Sequence, residues 1–263
     1  MINQKILKIN IFLLLFFLLI SGLGFIGFDL FESLFNKQKL NKNNNSYNQQ
    51  TFDNIHEALK SKDLGDKHSL SYYPDFGSNI FLKSNIFPIN GRSNIKTFFC
   101  KEQGFLSSYY ADRHGFNNDD KIYEKSNIID VALVGDSYIH GACTNQNSLQ
   151  QNLSRLRNEL SFISFAQGGA GPLLELAYLK EYVSKYKPKL VLWFWVANDL
   201  RNLGDEIQTP LRFYMQKDFS QNLYNPINKI KADVVVKNLQ NQYREIKFAE
   251  KIGFIRETNF GKL

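Results

Sequence analysis

The sequence has few of the features that indicate nucleic-acid binding or a repeat architecture. Its 263 residues carry a formal net charge of +7, but the lysines are scattered singly, and no basic helix or nucleic-acid motif occurs. We interpret the excess charge as a solvated surface and expect no nucleic-acid partner. No internal repeat is visible, cysteine occurs only twice, and no histidine follows His140.

The N-terminal region contains the longest apolar run of the chain. Residues 9–28 carry no charge and are dominated by Leu, Phe and Ile, a length that matches the roughly 20 residues needed to span a bilayer. Lys5 and Lys8 precede the run and acidic residues follow it, so the positive-inside rule places the N-terminus in the cytoplasm. A cleaved signal peptide is the alternative, although its apolar region is shorter, about 7–15 residues. Both interpretations export the remainder of the chain.

Composition divides the chain into four regions. We predict a membrane anchor over residues 1–35 in the inner (cytoplasmic) membrane, followed by a polar, flexible linker over residues 36–50. Residues 51–125 contain short apolar runs broken by turn-forming residues, which indicate small β-hairpins or loops. Residues 126–263 are predicted to form an α/β core, in which a lysine-rich amphipathic helix follows Pro226.

The two cysteines are a candidate disulfide. Export to an oxidising compartment would allow Cys100 and Cys143 to pair, and the bridge would brace the loop that follows Ser137. Two unrelated buried thiols are the alternative.

The α/β core is predicted from three apolar strand patterns separated by helical ones. The strands are 128–134, 162–166 and 190–196, and each is expected to be buried on both faces of a parallel sheet. Ser148 and Gln151 form a capping-box pattern, followed by a leucine face at Leu149, Leu153, Leu156 and Leu160. A second helix follows Pro172, with Leu174, Ala177, Tyr178 and Tyr182 as its buried stripe. Strands alternating with helices indicate right-handed βαβ units.

Each predicted strand ends in a turn that carries residues suited to acyl transfer. The turns contain Ser137, Gly169 and Asn198, and the carboxyl ends of parallel strands meet at one sheet edge, where ligands bind. A serine that attacks an ester carbonyl needs donors aimed at the oxyanion. The backbone N–H groups of Ser137 and Gly169 and the Asn198 amide are such donors. The alternative is that Ser137 only caps the next helix.

These residues also carry a resemblance to a known family. The segments VALVGDSYIHGAC, FAQGGAGPLLE and VLWFWVANDL resemble, in this order, the first three blocks of the SGNH/GDSL hydrolases. The upstream ADRHGFNN resembles a segment of membrane-anchored, polysaccharide-associated members. The resemblance implies a flavodoxin-like three-layer α/β/α fold, with Ser137 as nucleophile and Gly169 and Asn198 in the oxyanion hole. Asp136 and Asp199 would support the loops.

Two of the chain's departures from that family pattern bear directly on catalysis. Val196 stands where the third block usually has glycine, and the Asp-x-x-His that supplies the base of the family is absent. His140, three residues after Ser137, is a possible substitute, and a histidine packed under the loop is the alternative. With only three strands predicted, we expect a C-terminally incomplete sheet.

Three functions follow as hypotheses. The first is an exported hydrolase of O-acyl esters, for example acetyl esters of an envelope polysaccharide. The second is a non-catalytic relative that binds glycans or a partner, and the third is an O-acyltransferase with the same nucleophile. No cofactor and no metal ion is expected for any of them.

Overall fold

The computed structural model of the protein describes residues 67–71, 85–100, 106–125, 129–141, 143–144 and 147–241. These residues form two three-stranded sheets. The strands are β1 (His68–Leu70), β2 (Lys96–Phe98), β3 (Ser108–Tyr110), β4 (Val131–Gly135), β5 (Phe162–Ala166) and β6 (Leu190–Trp193). The predicted anchor, the linker and the start of strand 128–134 lie outside the described residues.

The sheet of β4, β5 and β6 is parallel, as the sequence predicts. Its strand order is β5–β4–β6, with Val131 opposite Phe162 on one side and Leu190 on the other. Strand β4, the first of the three strands predicted for the α/β core, is therefore the central one. The other sheet pairs β1 with β2 in parallel and β2 with β3 in antiparallel orientation.

Helices pack on both faces of β4 and β5. The helices of the described residues are α1 (Ile122–Lys125), α2 (Ser137–His140), α3 (Leu149–Leu156), α4 (Pro172–Tyr178), α5 (Asp199–Glu206) and α6 (residues 226–241). Helix α4 continues through a π-helical segment, Leu179–Val183, and a last turn, Ser184–Tyr186; a 3-10 helix spans Pro210–Met215. Ala132 and Val134 of β4 face the core on the α4 side, whereas Val131 and Leu133 face α2 and α3. This alternation produces a mixed α/β fold with helices on both faces of the sheet.

The helix patterns agree with the structure except at the end of α3. The side-chain oxygen of Ser148 accepts from the Gln151 N–H at 3.2 Å, and the Gln151 side chain accepts from the Ser148 N–H at 3.0 Å. The predicted stripe of α4 is fully buried. Leu156 was predicted to be in the leucine face of α3, but it is the last residue of that helix and is 77% exposed. Leu160, predicted in the same face, lies beyond the end of α3 and still packs against the core.

The prediction that the third strand is buried on both faces is wrong. All four residues of β6 are exposed, from 36% at Leu192 to 50% at Leu190. The reason is positional, because β6 lies at the edge of the sheet that the described residues form, and no further strand of that sheet covers it. The apolar composition of β6 suits a strand that is covered on both faces, and the described residues do not provide that cover.

Two remaining predictions concern the disulfide and the anchor. Cys100 and Cys143 form a disulfide with their Cα atoms 5.8 Å apart, which is the pairing that the sequence predicts. Within the described ranges, no helix combines the length and the apolar character needed to cross a membrane.

Candidate functional site

Ser137 lies at the first turn of α2, directly after β4. Asp136 is the N-cap of this helix, and its Oδ1 accepts from the Tyr138 N–H at 3.0 Å. Gly135 is required before it, because a Cβ there would lie 2.6 Å from Cγ1 of Ile139. The turn therefore buries Asp136 and leaves Ser137 exposed to solvent. The predicted nucleophile is accessible to a substrate.

Asp136 joins Ser137 to Asn198. Its Oδ2 lies 3.5 Å from the Ser137 hydroxyl oxygen and 3.4 Å from the Asn198 amide nitrogen. Both distances are longer than those of strong hydrogen bonds, so these contacts orient the two side chains weakly. Ser137 and Asn198 are thus brought together at the carboxyl ends of β4 and β6.

The turn that contains Gly169 is held by α5. Gly169 has φ +79°, a left-handed conformation that favours glycine. The Asn202 side chain donates to the Ala170 carbonyl at 3.2 Å, and the Gly171 N–H donates to Glu206 at 2.7 Å. Because α5 begins immediately after Asn198, these bonds fix the turn of Gly169 relative to Asn198. The three predicted residues therefore lie on three segments that are tied to one another.

Four carboxyl groups lie beneath this edge of the sheet. Asp136, Glu175, Asp199 and Glu206 are all buried, and no lysine or arginine of the described chain forms an ion pair with any of them. Glu175 accepts from the Trp193 indole N–H at 2.6 Å, and its other oxygen has no partner. One oxygen of Asp199 accepts from the Val196 N–H at 2.7 Å, and the other is also without a partner.

Burial raises the pKa of three of these carboxyl groups. Burial, together with the nearby Asp199 and Asp136 carboxylates and against the opposing Trp193 hydrogen bond, raises the pKa of Glu175 to about 8. Burial also raises the pKa of Glu206 to about 7, although the N–H groups of Leu173 and Gly171 stabilise its anion. The pKa of Asp199 rises for the same reason. Part of the cluster is therefore protonated near neutral pH.

The structure does not bring His140 to Ser137 as a base. The His140 ring is buried and packs edge-on against Phe99 and Tyr109, with ring centroids 4.8 and 5.2 Å away. Neither ring nitrogen has a hydrogen-bond partner, and burial lowers the pKa of His140 to about 3. Among the described side chains, Asp136 is the hydrogen-bond partner of the Ser137 hydroxyl. The surroundings of His140 match the alternative interpretation of the sequence, a histidine packed under the loop.

The ADRHGFNN segment supports the site from below. The buried carboxylate of Asp112 accepts from the N–H groups of His114 and Phe116, the Asn118 amide and the Tyr123 hydroxyl. Asn118 also exchanges two hydrogen bonds of 2.9 Å with the backbone of Ser164, in the middle of β5. The neighbouring Asn117 donates to the His140 carbonyl at 2.9 Å, at the end of α2. The segment thereby connects the outer strand β5 to the helix that carries Ser137.

Several residues of the site, Glu175 and Trp193 among them, were not predicted from the sequence. Glu175 lies four residues after Gly171 and three before Tyr178, so the helical spacing places a carboxylate on the buried face of α4. Trp193 was assigned only to a buried strand. Both could have been found by asking which polar side chain on the apolar face of α4 needs a hydrogen-bond donor.

Among the described residues, no His, Cys, Asp and Glu side chains are grouped so that they could hold a metal ion.

Comparisons with models of protein families, with curated proteins and with solved structures give no match to this chain.

Proposed function

We propose that the protein carries a serine ester hydrolase site of the SGNH type, which acts on O-acyl esters with Ser137 as nucleophile. The observation that supports this proposal is the exposed Ser137 hydroxyl at the end of the central strand, with Asn198 linked to it through Asp136. The same proposal includes a flavodoxin-like sheet and a single-pass location in the inner membrane, with the site outside the cytoplasm. The proposed substrate is an acylated carbohydrate.

The proposed reaction has two steps. The Ser137 oxygen attacks the ester carbonyl, and the oxyanion accepts hydrogen bonds from the N–H groups of Ser137 and Gly169 and from the Asn198 amide. The alcohol leaves with a proton, and water then releases the acid and restores the serine. One oxyanion donor of this kind typically contributes about 3–4 kcal/mol to transition-state stabilisation.

The described residues give this site a weak proton acceptor. The Asp136 oxygen, 3.5 Å away, is the one partner of the hydroxyl, and His140 makes no contact with it. A serine without a positioned base is a poor nucleophile at neutral pH. We therefore expect slow turnover, which comes mainly from the oxyanion donors.

The test is hydrolysis of p-nitrophenyl acetate by the full chain, combined with labelling by a fluorophosphonate. Ser137→Ala should abolish the labelling and reduce the turnover to background, and Asn198→Ala should lower the rate about a hundredfold or more. Ser154→Ala, on α3, is the matched control and should behave like the wild type. His140→Ala should leave the residual rate unchanged if the protein stays folded. Labelling that persists in Ser137→Ala would exclude this serine as the nucleophile.

A second candidate function is glycan binding without catalysis. A cleft of about 410 Å³ beside α2 is lined by Tyr109, Tyr110, Asn117 and Gln151 among others, and Tyr110 is 65% exposed. Exposed aromatic rings with neighbouring amides suit a sugar surface. Binding of an O-acetylated oligosaccharide that is lost in Tyr110→Ala, but retained in Ser137→Ala, would favour this alternative. The O-acyltransferase hypothesis shares the nucleophile and would be recognised by transfer to an added sugar alcohol in preference to water.

A further inference from the structure

Glu206 reaches from the last turn of α5 to the start of α4. Its Oε1 accepts from the Gly171 N–H at 2.7 Å, and its Oε2 accepts from the Leu173 N–H at 2.8 Å. The N–H groups at the start of a helix have no partner within the helix, and a negative charge is favourable there. The side chain is buried and forms no ion pair with a described lysine or arginine. Backbone N–H groups of α4 therefore stabilise its anion.

Helix α5 packs directly on the backbone of the turn that contains Gly169. A Cβ on Gly171 would lie 2.6 Å from Cβ of Asn202 and 2.8 Å from Oε2 of Glu206, so no side chain fits between the two segments. One turn of α5 earlier, the Asn202 side chain donates to the Ala170 carbonyl at 3.2 Å. Side chains from two successive turns of α5 thus hold the Gly169 turn.

The other end of α5 is attached to the segment that follows β6. The Asp199 N–H donates to the Val196 carbonyl at 3.1 Å, and Oδ2 of Asp199 accepts from the Val196 N–H at 2.7 Å. Asn198 lies between these residues, so its position follows that of the first turn of α5. Helix α5 is about two turns long and is thus a short, rigid connection between Asn198 and the Gly169 turn. Glu206 closes this connection.

The groups that face Glu206 supply no positive charge. They are Glu175 and Tyr178 of α4 and Asp199 of α5. Arg201 and Asp205, the other charged residues of α5, are exposed. The 3-10 helix Pro210–Met215, which also packs against α5, carries Arg212, whose guanidinium lies over the Phe213 ring at 5.2 Å from its centroid.

The protonation of Glu206 decides how many N–H groups it can bond. Burial and the Asp199 carboxylate raise the pKa of Glu206 to about 7, against the α4 N–H groups that lower it. As an anion, the carboxyl group accepts with both oxygens. A proton turns one of these acceptors into a donor, so the acid loses one of its two bonds to α4.

We propose that Glu206 is a positioning residue for the oxyanion hole, which as a carboxylate holds the Gly169 turn at a fixed distance from Asn198 and as an acid loosens that connection. This inference rests on the proposed function, in which the Gly169 N–H and the Asn198 amide bind one oxyanion. Donors of this kind act only when they are already aimed at the developing charge. Glu206 acts through the backbone of Gly171 and has no contact of its own with the oxyanion.

The first test follows the backbone amides of Gly169 and Gly171 by NMR, in the full chain in a mild non-ionic detergent. The sequence contains one Gly–Gly pair, 168–169, and one Ala–Gly pair, 170–171, so ¹³C-carbonyl labelling of Gly or Ala combined with ¹⁵N-Gly identifies both signals directly. Both amides should shift with pH at a common midpoint near 7 in the wild type, and neither should shift in Glu206→Gln. Asp205→Asn, exposed on the same helix, is the matched control and should titrate like the wild type.

The second test compares the pH profiles of p-nitrophenyl acetate hydrolysis by the same three proteins. Because the anion is the form that holds the turn, the ratio of wild-type to Glu206→Gln turnover should rise with pH through about 7. Above that pH the ratio should reach about ten- to a hundredfold, since a small misplacement of a catalytic group has effects of this size. The loss should fall on kcat with KM little changed, because the donors act on the transition state. Asp205→Asn should have the wild-type profile.

A Gly169 amide that does not shift with pH would overturn the proposal, because the turn would then not follow the carboxylate. A wild-type to Glu206→Gln ratio that stays constant with pH would also overturn it. The wild-type titration needs no variant, so it decides the proposal even if Glu206→Gln fails to fold. Turnover that is equal in the wild type and Ser137→Ala would overturn the proposed function instead, and the amide titrations would still show whether Glu206 holds the Gly169 turn.

Discussion

The indole N–H of Trp193, on the exposed strand β6, donates a 2.6 Å hydrogen bond to the buried carboxyl group of Glu175 on α4. This bond joins the open edge of the sheet to the carboxyl cluster under Ser137. Because the other Glu175 oxygen has no partner, the hydrogen bond leaves the anion poorly solvated.

Glu175 should make stability fall as the pH rises. Its pKa is about 8 in the folded chain and near its ordinary value of 4.5 when unfolded, so the folded state binds more protons between these values. The stabilisation is fully present below about pH 4.5 and is lost as the pH rises through about 8. Glu175→Gln keeps an acceptor for Trp193 and removes the titration. We expect this variant to gain on the order of 2 kcal/mol relative to the wild type between about pH 5 and pH 8.

The measurement is urea unfolding of both proteins at several pH values. Comparing the two proteins at each pH cancels the contributions of other titrating groups. A difference in unfolding free energy that does not change with pH would show that Glu175 does not titrate in this range.

Asn118→Ala should destabilise the protein by about 2–4 kcal/mol, because the amide makes three hydrogen bonds of 2.8–2.9 Å to Asp112 and the backbone of Ser164. Removing it leaves buried partners without hydrogen bonds. Thermal and urea unfolding measure the loss. Asn152→Ala is the matched control, since Asn152 is exposed and bonds only to the Asn147 carbonyl, and its effect should be below about 0.5 kcal/mol. Equal effects of the two substitutions would contradict the role of Asn118.

Removing the disulfide with Cys100→Ser and Cys143→Ser together should lower the free energy of unfolding by about 2–4 kcal/mol, since the bridge closes a loop across a sequence separation of 43. A reducing agent should lower the urea midpoint of the wild type and leave that of the double variant unchanged. If the reducing agent shifts both midpoints equally, the stabilisation has another source.

His140→Phe should protect the fold against acid. The pKa of His140 is about 3 in the folded chain and 6.5 in the unfolded chain, so the unfolded state binds an extra proton between these values. The stability of the wild type is therefore lost as the pH falls from about 6.5 towards 3. Phenylalanine keeps the ring contacts with Phe99 and Tyr109 and does not titrate. Acid titration followed by circular dichroism should give a lower unfolding midpoint pH for the variant, and an unchanged midpoint would contradict this account.

The sequence predicts the central elements well because their signals are local. The apolar runs of β4 and β5, the capping box at Ser148 and the stripe of α4 each depend on neighbours within a few residues. The parallel orientation of the strands follows from their alternation with helices. The placement of Ser137 beside Asn198 could also be predicted from the sequence, because the turns that follow parallel strands lie at one edge of the sheet.

The failures have a different origin. The exposure of β6 depends on what lies next to it in the sheet, and apolar composition describes only the environment that a strand requires. Glu175 and Trp193 come from different elements, so their pairing has no signal within either segment. The exposure of Leu156 depends on where α3 ends, which helical periodicity does not encode.

The side chain of Asn118 has a consequence for how the sheet can grow. By bonding both the N–H and the carbonyl of Ser164, it fills the position that a residue of another strand would take on the outer side of β5. A strand cannot be added there without displacing this side chain. Asn118 therefore caps that border of the sheet, and the cap opposes the open-ended strand addition that produces fibres.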